Sequence, residues 1–285
     1  MKILIIGSTG VLGNYLKNFF FKLKKFKIYA SGYKTKTQLN FNLLKKKEIL
    51  NILKKNKPNI IINCVANTNV DFCEKYFNHA YLANTITVKN LIFSIKKLRL
   101  KSHLIHISTD QVYNKKKRNI KSSEKDINLS NNYSVTKYLG ELEAKKYKIA
   151  TILRMNFYGK SFLKKRKFFS GFVISKLLQS KRIHLAKNIT YNPINVFLLA
   201  RIILIIIKKR ILGTYNIGSA DSVSKYSFAK ILAKKLKLND KLIYSYNSNY
   251  RMHKRPLNTS VSIKKIEKTL KIKLPDFKDS LIQLY

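Results

Sequence analysis

The chain opens Met1-Lys2-Ile3-Leu4-Ile5-Ile6-Gly7-Ser8-Thr9-Gly10-Val11-Leu12-Gly13, an apolar run that ends in three glycines spaced three apart. Residues 2–6 are apolar and β-branched enough to predict a strand buried in a parallel sheet. The chain must then turn sharply and bring backbone N–H groups close to a ligand, which glycine allows because it has no Cβ. From residue 11 to about 25 the periodicity predicts a helix, with Leu12, Tyr15, Leu16, Phe19, Phe20 and Leu23 on one apolar face. A helix N-terminus set on a glycine loop suits a pyrophosphate, since its N–H groups and its dipole both favour negative charge. The same pattern taken alone also describes an ordinary strand–turn–helix.

Outward from this unit, strand and helix keep alternating. Strands are expected at residues 27–31, 59–65, 103–108 and 150–154, and helices at 48–55, 79–97 and 132–146. This alternation predicts an α/β fold, a doubly wound parallel sheet with ligands at the carboxyl ends of its strands. Beyond about residue 155 the pattern loosens. Basic loops, an apolar helix over 196–207, a segment at 214–218, a helix over 226–237 and a C-terminal tail are expected to form a smaller lobe. The domain reading is 1–155 for the dinucleotide-binding part and 156–285 for a mainly substrate-binding lobe, interleaved with the last strands of the sheet.

Composition narrows the class. The chain has 285 residues, 45% of them hydrophobic, enough for one large domain or two small ones. Cys64 and Cys73 have no metal-type spacing with any histidine, so a reduced, cytoplasmic chain without a metal site is expected. His103 and His106 stand three apart on a strand and so face opposite ways. The apolar run 196–207 is interrupted by Arg201 and is too short to span a membrane. Fifty-nine Lys and Arg against 13 Asp and Glu give a formal charge of +46. The basic residues are spread along the chain, with short runs at 45–47, 115–118 and 164–167, and no nucleic-acid recognition signature accompanies them. A specific nucleic-acid partner is therefore not expected, although a diffuse positive field would gather phosphorylated ligands.

The chemistry is carried by Tyr133-Ser134-Val135-Thr136-Lys137, about two dozen residues after Ser108-Thr109-Asp110. A four-residue step puts Tyr133 and Lys137 on one helix face. A phenol with an ordinary pKa near 10 is a poor acid–base group at neutral pH, and a nearby ammonium brings it closer to the working range. Thr109, at a strand end, can hold a substrate carbonyl while Tyr133 gives or takes the proton. With the glycine loop, these residues predict hydride transfer with a nicotinamide cofactor. Asp71 and Glu74 are expected to cap helices or pair with lysines. Cys73 has no feature of a reactive thiol, and Phe19, Phe20 and Phe228 are expected in the core.

In these motifs the chain resembles the extended short-chain dehydrogenase/reductases and, within them, the dTDP-4-dehydrorhamnose reductase group. The resemblance rests on Gly7-x-x-Gly10-x-x-Gly13, Asn63-Cys64-Val65-Ala66-Asn67-Thr68-Asn69-Val70-Asp71-x-x-Glu74, Ser108 to Tyr113, the Tyr133–Lys137 pair and Leu153-Arg154. Arg255-Pro256-Leu257-Asn258-Thr259 and Leu274-Pro275-Asp276-Phe277 point more narrowly to the reductase group. The resemblance implies a Rossmann-type fold and a catalytic triad of Thr109, Tyr133 and Lys137, with Tyr133 protonating the sugar C4 oxygen. It implies that Gly7, Thr9, Gly10, Val11, Leu12 and Gly13 wrap the cofactor, that Cys64, Val65 and Ala66 line it, and that Lys137 holds its ribose. Thr68, Val70, Thr109 and Asp110 would border the sugar, and Arg255 is the candidate for the substrate diphosphate.

Some positions depart from the group. Ala30-Ser31-Gly32-Tyr33-Lys34 has no acid for the ribose hydroxyls, and Ser31 and Lys34 could accept a 2′-phosphate, so NADPH is favoured and NADH left open. Asn40 stands where the family often has an Asp near the adenine. Residues 155–159 and 188–193 also differ from the family, which leaves the sugar undecided. A nucleotide-sugar epimerase or dehydratase, a non-catalytic dinucleotide-binding subunit, and a homodimer all stay open at this level.

Overall fold

The computed structural model describes residues 1–32, 37–115, 122–163, 168–248 and 255–281. Seven strands form one sheet. Six of them are β1 (Lys2–Ile6), β2 (Lys27–Gly32), β3 (Leu39–Asn40), β4 (Ile60–Asn63), β5 (His103–Ile107) and β6 (Ala150–Met155), and the seventh is an edge strand at Gly213–Ile217. Their order runs from the edge strand through β6, β5, β4, β1 and β2 to β3. The ladders from β3 across to β6 are all parallel. The strands β4, β5 and β6 are buried at every residue, which explains their continuous rather than alternating apolar sequence. The strand order reverses between β1 and β4, the switch point at which ligands bind in open α/β sheets.

The chain divides into two compact units. The first comprises Met1–Thr109, Asn131–Leu153 and Leu204–Thr214, and the second Asp110–Ser130, Arg154–Ile203 and Tyr215–Tyr285. No single cut near residue 155 separates them, because Asp110–Ser130 goes with the second unit and Leu204–Thr214 with the first.

In the first unit the helices are α1 (Val11–Lys22), α2 (Lys46–Asn56), α3 (Val70–Lys75), α4 (Phe77–Tyr81), α5 (Thr87–Lys97) and α6 (Asn132–Lys145). Leu4, Leu53, Ile61, Leu91, Ile95 and Leu104 are fully buried in one cluster. The helix α1 stops at Lys22, short of the expected 25, because Lys24 takes a left-handed backbone with φ 53°. The long helix expected over 79–97 begins earlier, at Phe77, and contains a π-helical turn at Leu82–Ile86 between α4 and α5. Such turns mark places where a helix bends its hydrogen-bond ladder around a site. The six residues of α3 are too few to show a period in sequence, and α3 was not expected.

The second unit packs around aromatic rings. Phe228 stacks on Phe277 with centroids 4.7 Å apart, and Tyr158 meets both edge-on. Three short strand pairs surround them: Phe157–Tyr158 with Ile194–Asn195, Thr190–Tyr191 with Val223–Ser224, and Ile183–Ala186 with Ile243–Tyr246. Its helices include α7 (Phe169–Leu178), the start of α8 (Val196–Lys209) and α9 (Lys225–Lys235). Among the described residues no helix is long and apolar enough to cross a membrane.

Candidate active site

The glycine loop leaves the carboxyl end of β1 and is tied on both sides. Gly7 and Ser8 donate their N–H groups to the Ser31 carbonyl at the end of β2, at 3.1 and 2.9 Å, and Cys64 donates to Ile6 at 2.9 Å. Gly7 has φ +81°, and a Cβ there would meet the Val65 side chain at 3.0 Å. A Cβ on Gly13 would lie 2.3 Å from the Gly7 carbonyl oxygen. The space between loop and helix therefore exists only because these residues have no side chain. Gly10 caps α1 with an extended backbone, and the first turn carries no acid, so its positive end is left for an anion. The cradle fits a dinucleotide pyrophosphate. Gly13→Ala is expected to cost about 1–3 kcal/mol of stability through overpacking, read as a lower denaturant midpoint, together with loss of dinucleotide affinity.

Thr9 and Val11 are half-buried and Leu12 is buried, so Leu12 offers a ligand its backbone and not its side chain. Ser31 stands at the end of β2. Its residue is 1% exposed, and its carbonyl takes the N–H groups of Gly7 and Ser8 and the Ser8 hydroxyl. Its carbonyl thereby fixes the glycine loop against β2. Lys34 lies outside the described residues. Asn40 is exposed and accepts a hydrogen bond from the Thr37 hydroxyl at 2.6 Å.

The reacting groups sit on β5 and α6. The helix begins in a capping box: the Asn131 carboxamide accepts the Ser134 N–H at 2.8 Å, and the Asn131 N–H reaches the Ser134 hydroxyl at 3.2 Å. The Glu74 carboxylate also accepts the Asn132 N–H at 3.0 Å, so of its two expected uses the structure shows capping. These bonds fix the first turn, where Tyr133 stands. The Tyr133 ring is 6% exposed and packs with Val70, Cys73 and Ala80. One turn on, Lys137 is buried, and its ammonium donates to the Ile107 carbonyl at 2.7 Å, at the end of β5. Burial pulls the Lys137 pKa down to about 8, against the opposing pull of Glu141. Thr109, also buried, follows two residues after Ile107.

Three supporting residues were given no role of their own by the sequence. Glu141 is fully buried and accepts the Ser108 hydroxyl at 2.5 Å, locking the strand end that leads to Thr109. An acid four residues beyond Lys137 on the same face was a visible signal in a chain with only 13 acids. Asn84, in the π-helical turn, donates to Thr136 at 3.0 Å and to the Asn67 carbonyl at 3.2 Å, and accepts the Asn67 N–H at 2.7 Å. It joins α6 to the loop after β4, and Gly140 permits the approach, since a Cβ there would lie 2.3 Å from the Asn84 carbonyl oxygen. Asn63 donates to His106 at 3.3 Å and accepts the Val65 N–H at 3.1 Å, which shapes the segment Cys64, Val65 and Ala66. Burial and the nearby Lys137 charge keep His106 neutral. The Cys64 thiol is pushed up to about 12 by burial and stays protonated. Thr68 is exposed at the start of α3 and Val70 is buried within it.

The second unit carries the remaining expected residues. Asp110 is buried and accepts the Thr259 hydroxyl at 2.7 Å, and Arg255 is exposed a few residues before Thr259. Among the described residues no group of three or more His, Cys, Asp and Glu is placed to hold a metal ion. A cavity of about 450 Å³ in the first unit lies at the amino ends of β4 and β5, lined by Asn59, Ile60 and His103, and contains none of the expected residues.

A parallel sheet with a glycine cradle at its switch point, and a Tyr–Lys pair on the helix beside β5, define the extended short-chain dehydrogenase/reductase class. The chain belongs to the RmlD substrate binding domain family, whose model matches residues 1–285. It is 25% identical to dTDP-4-dehydrorhamnose reductase of Aggregatibacter actinomycetemcomitans over 299 residues, covering 98% of this chain and 97% of that one. Two other relatives, each 30% identical, are spanned only in part. The matches cover 47% of the spore coat polysaccharide biosynthesis protein SpsK of Bacillus subtilis and 61% of the dTDP-D-glucose 4,6-dehydratase of Dictyostelium discoideum. The fold is similar to the crystal structure of dTDP-4-dehydrorhamnose reductase from Bacillus anthracis in complex with NADP, at a TM-score of 0.88 and 22% identity, covering 99% of this chain and 98% of that one.

Proposed function

We propose that this chain is an NADPH-dependent reductase of a nucleotide-linked 4-keto sugar, with dTDP-4-dehydrorhamnose as substrate and dTDP-rhamnose as product. Cytoplasmic operation in cell-surface polysaccharide synthesis is part of the same proposal. The observation that carries it is the buried Lys137 ammonium, anchored on the Ile107 carbonyl one helical turn from Tyr133 and two residues from Thr109 in sequence.

The bound cofactor supplies a hydride. The Gly7 and Gly13 cradle takes its pyrophosphate at the start of α1, and Cys64, Val65 and Ala66 border it on the β4 side. Thr109 orients the sugar carbonyl with its hydroxyl, and Tyr133 delivers a proton to the C4 oxygen. The Lys137 charge favours proton release from the phenol and holds the cofactor ribose. The absence of a carboxylate among residues 30–34 supports NADPH over NADH, with Ser31 and Lys34 as the partners for a 2′-phosphate.

The test is NADPH oxidation by the purified protein with dTDP-4-dehydrorhamnose, repeated with NADH. Net consumption, faster with NADPH, is the expected result. Tightly retained NAD with turnover and no net consumption would replace the proposal by a dehydratase or epimerase, the reading that the Dictyostelium relative favours. Dinucleotide binding without turnover on any 4-keto sugar would make the chain a non-catalytic subunit.

A further inference from the structure

The cavity of about 450 Å³ in the first unit lies at the amino ends of β4 and β5, whereas Ile107 and Thr109 stand at the carboxyl end of β5. Its lining carries four cations, Lys57, Lys101, Lys208 and Arg210, and no Asp or Glu. All four are exposed, and none forms an ion pair among the described residues. Lys57 and Arg210 take left-handed backbones, with φ 43° and 48°, which turn the chain sharply out of α2 and α8. The Arg210 guanidinium comes within 3.5 Å of the Lys101 carbonyl, so the end of α8 and the entry to β5 meet here. The walls are held by buried bonds. The Ser102 hydroxyl donates to the Pro58 carbonyl at 2.6 Å, and the Tyr147 hydroxyl lies 2.9 and 2.7 Å from the Leu100 and Ser102 carbonyls.

His103 lines the same cavity and is 2% exposed. Its Nε2 is 2.7 Å from the Thr151 hydroxyl, which itself donates to the Ile211 carbonyl at 2.5 Å. With that proton engaged, Nε2 is the donor and Nδ1 carries the lone pair. Nδ1 has no hydrogen-bond partner among the described residues. Burial and the Arg210 charge pull the ring down to a pKa of about 4, so it is neutral at physiological pH. The lining therefore calls for negative oxygens to meet its cations and for one O–H to meet Nδ1. A phosphate monoester offers both near neutral pH, because its second proton leaves with a pKa of about 6. An ionised carboxylate or a sulfate offers oxygens alone.

We propose that this cavity is a second ligand site, apart from the dinucleotide cradle, and that it binds a phosphate monoester with an apolar body. The four cations gather the phosphate, which relieves their mutual repulsion. The P–OH donates to Nδ1 of His103, and Ile60, Leu100 and Ile207 supply apolar surface for the body. The volume falls within the range of small-molecule sites, about 300–1,000 Å³, and exceeds what a bare phosphate fills. The proposal does not depend on the reaction assigned above.

Calorimetric titration of the full chain with phenyl phosphate, inorganic phosphate and sulfate tests it, with NADPH present to fill the cradle. Phenyl phosphate should bind most tightly, since only it covers the apolar wall, and sulfate least, since it brings no proton for Nδ1. Lys101→Met combined with Arg210→Met is expected to weaken phenyl phosphate binding about 10-fold or more, the loss of two charge-assisted contacts. Lys234→Met combined with Lys235→Met removes the same charge from an exposed stretch of α9 and should leave binding unchanged. Equal losses in the two double variants would assign binding to the diffuse positive field and overturn the site. Wild-type affinity retained in the Lys101 and Arg210 variant, or no binding by the wild type, would overturn it as well. Inorganic phosphate bound as tightly as phenyl phosphate would make free phosphate the ligand, and sulfate bound as tightly as phosphate would remove Nδ1 from the site. Should NADPH not bind, the reductase reading fails, and the same titration without it still decides the cavity.

Discussion

Replacing Tyr133 by Phe is expected to lower kcat for the 4-keto sugar by about 10²- to 10⁴-fold, the usual contribution of a positioned general acid. The ring is the part that packs, against Val70, Cys73 and Ala80, and Phe keeps it. The capping box at Asn131 and Ser134 and the Glu74 bond to Asn132 leave the start of α6 untouched. Stability should therefore change by no more than about 1 kcal/mol, the net worth of one hydroxyl hydrogen bond. Stopped-flow or steady-state rates beside a thermal melt separate the two effects. A kcat within a factor of about three of wild type would remove Tyr133 from the proton-transfer step, since three-fold is far below any general-acid contribution.

Lys137→Met should be nearly as damaging to the rate. Met fills much the same apolar space, so the fold should survive, and the desolvation cost of a buried ammonium disappears. Against that, the Ile107 carbonyl loses its 2.7 Å donor and Glu141 loses a neighbouring charge. The expected result is a folded protein whose kcat falls by about 10²-fold or more, with weaker NADPH binding because the ribose contact is gone. The pH profile gives the sign. Burial sets the Lys137 pKa at about 8, so the wild-type enzyme carries the charge below that pH and loses it above. Wild-type kcat should fall as pH rises through about 8, and the residual rate of the variant should lack that limb. An identical alkaline limb in both proteins would assign it to another group.

The readable parts of the site are those that depend on near neighbours in sequence. Gly7, Gly10 and Gly13 show themselves because a strand–turn–helix has one pattern and glycine has one steric reason to recur there. Tyr133 and Lys137 show themselves because a helix repeats every 3.6 residues. The second use of Ser31 was not legible, because sequence does not say which loop a strand-end carbonyl will tie down. Its carbonyl accepts three hydrogen bonds from Gly7 and Ser8, more than twenty residues away. The π-helical turn at Leu82–Ile86 was invisible for a related reason. It follows from Asn84 reaching Thr136 and Asn67, partners 52 and 17 residues away.

Local sequence was thus enough to establish the α/β class, the alternation of strand and helix along the chain and the four-residue step that sets Tyr133 and Lys137 on one helix. Hydrophobic period, glycine spacing and helical step are short-range properties, and a chain carries them whatever it packs against. Tertiary structure alone decided which polar groups are buried together. Glu141 meets Ser108 across 33 residues, and Asp110 meets Thr259 across 149. It also decided the environment of each charge. Burial brings both Lys137 and Lys225 down to a pKa of about 8 against the pull of an acid, Glu141 for the first and Asp110 for the second, with the Arg255 charge adding to the fall at Lys225. Desolvation and Coulomb energy depend on distance in space, and distance in space is what a linear sequence does not carry.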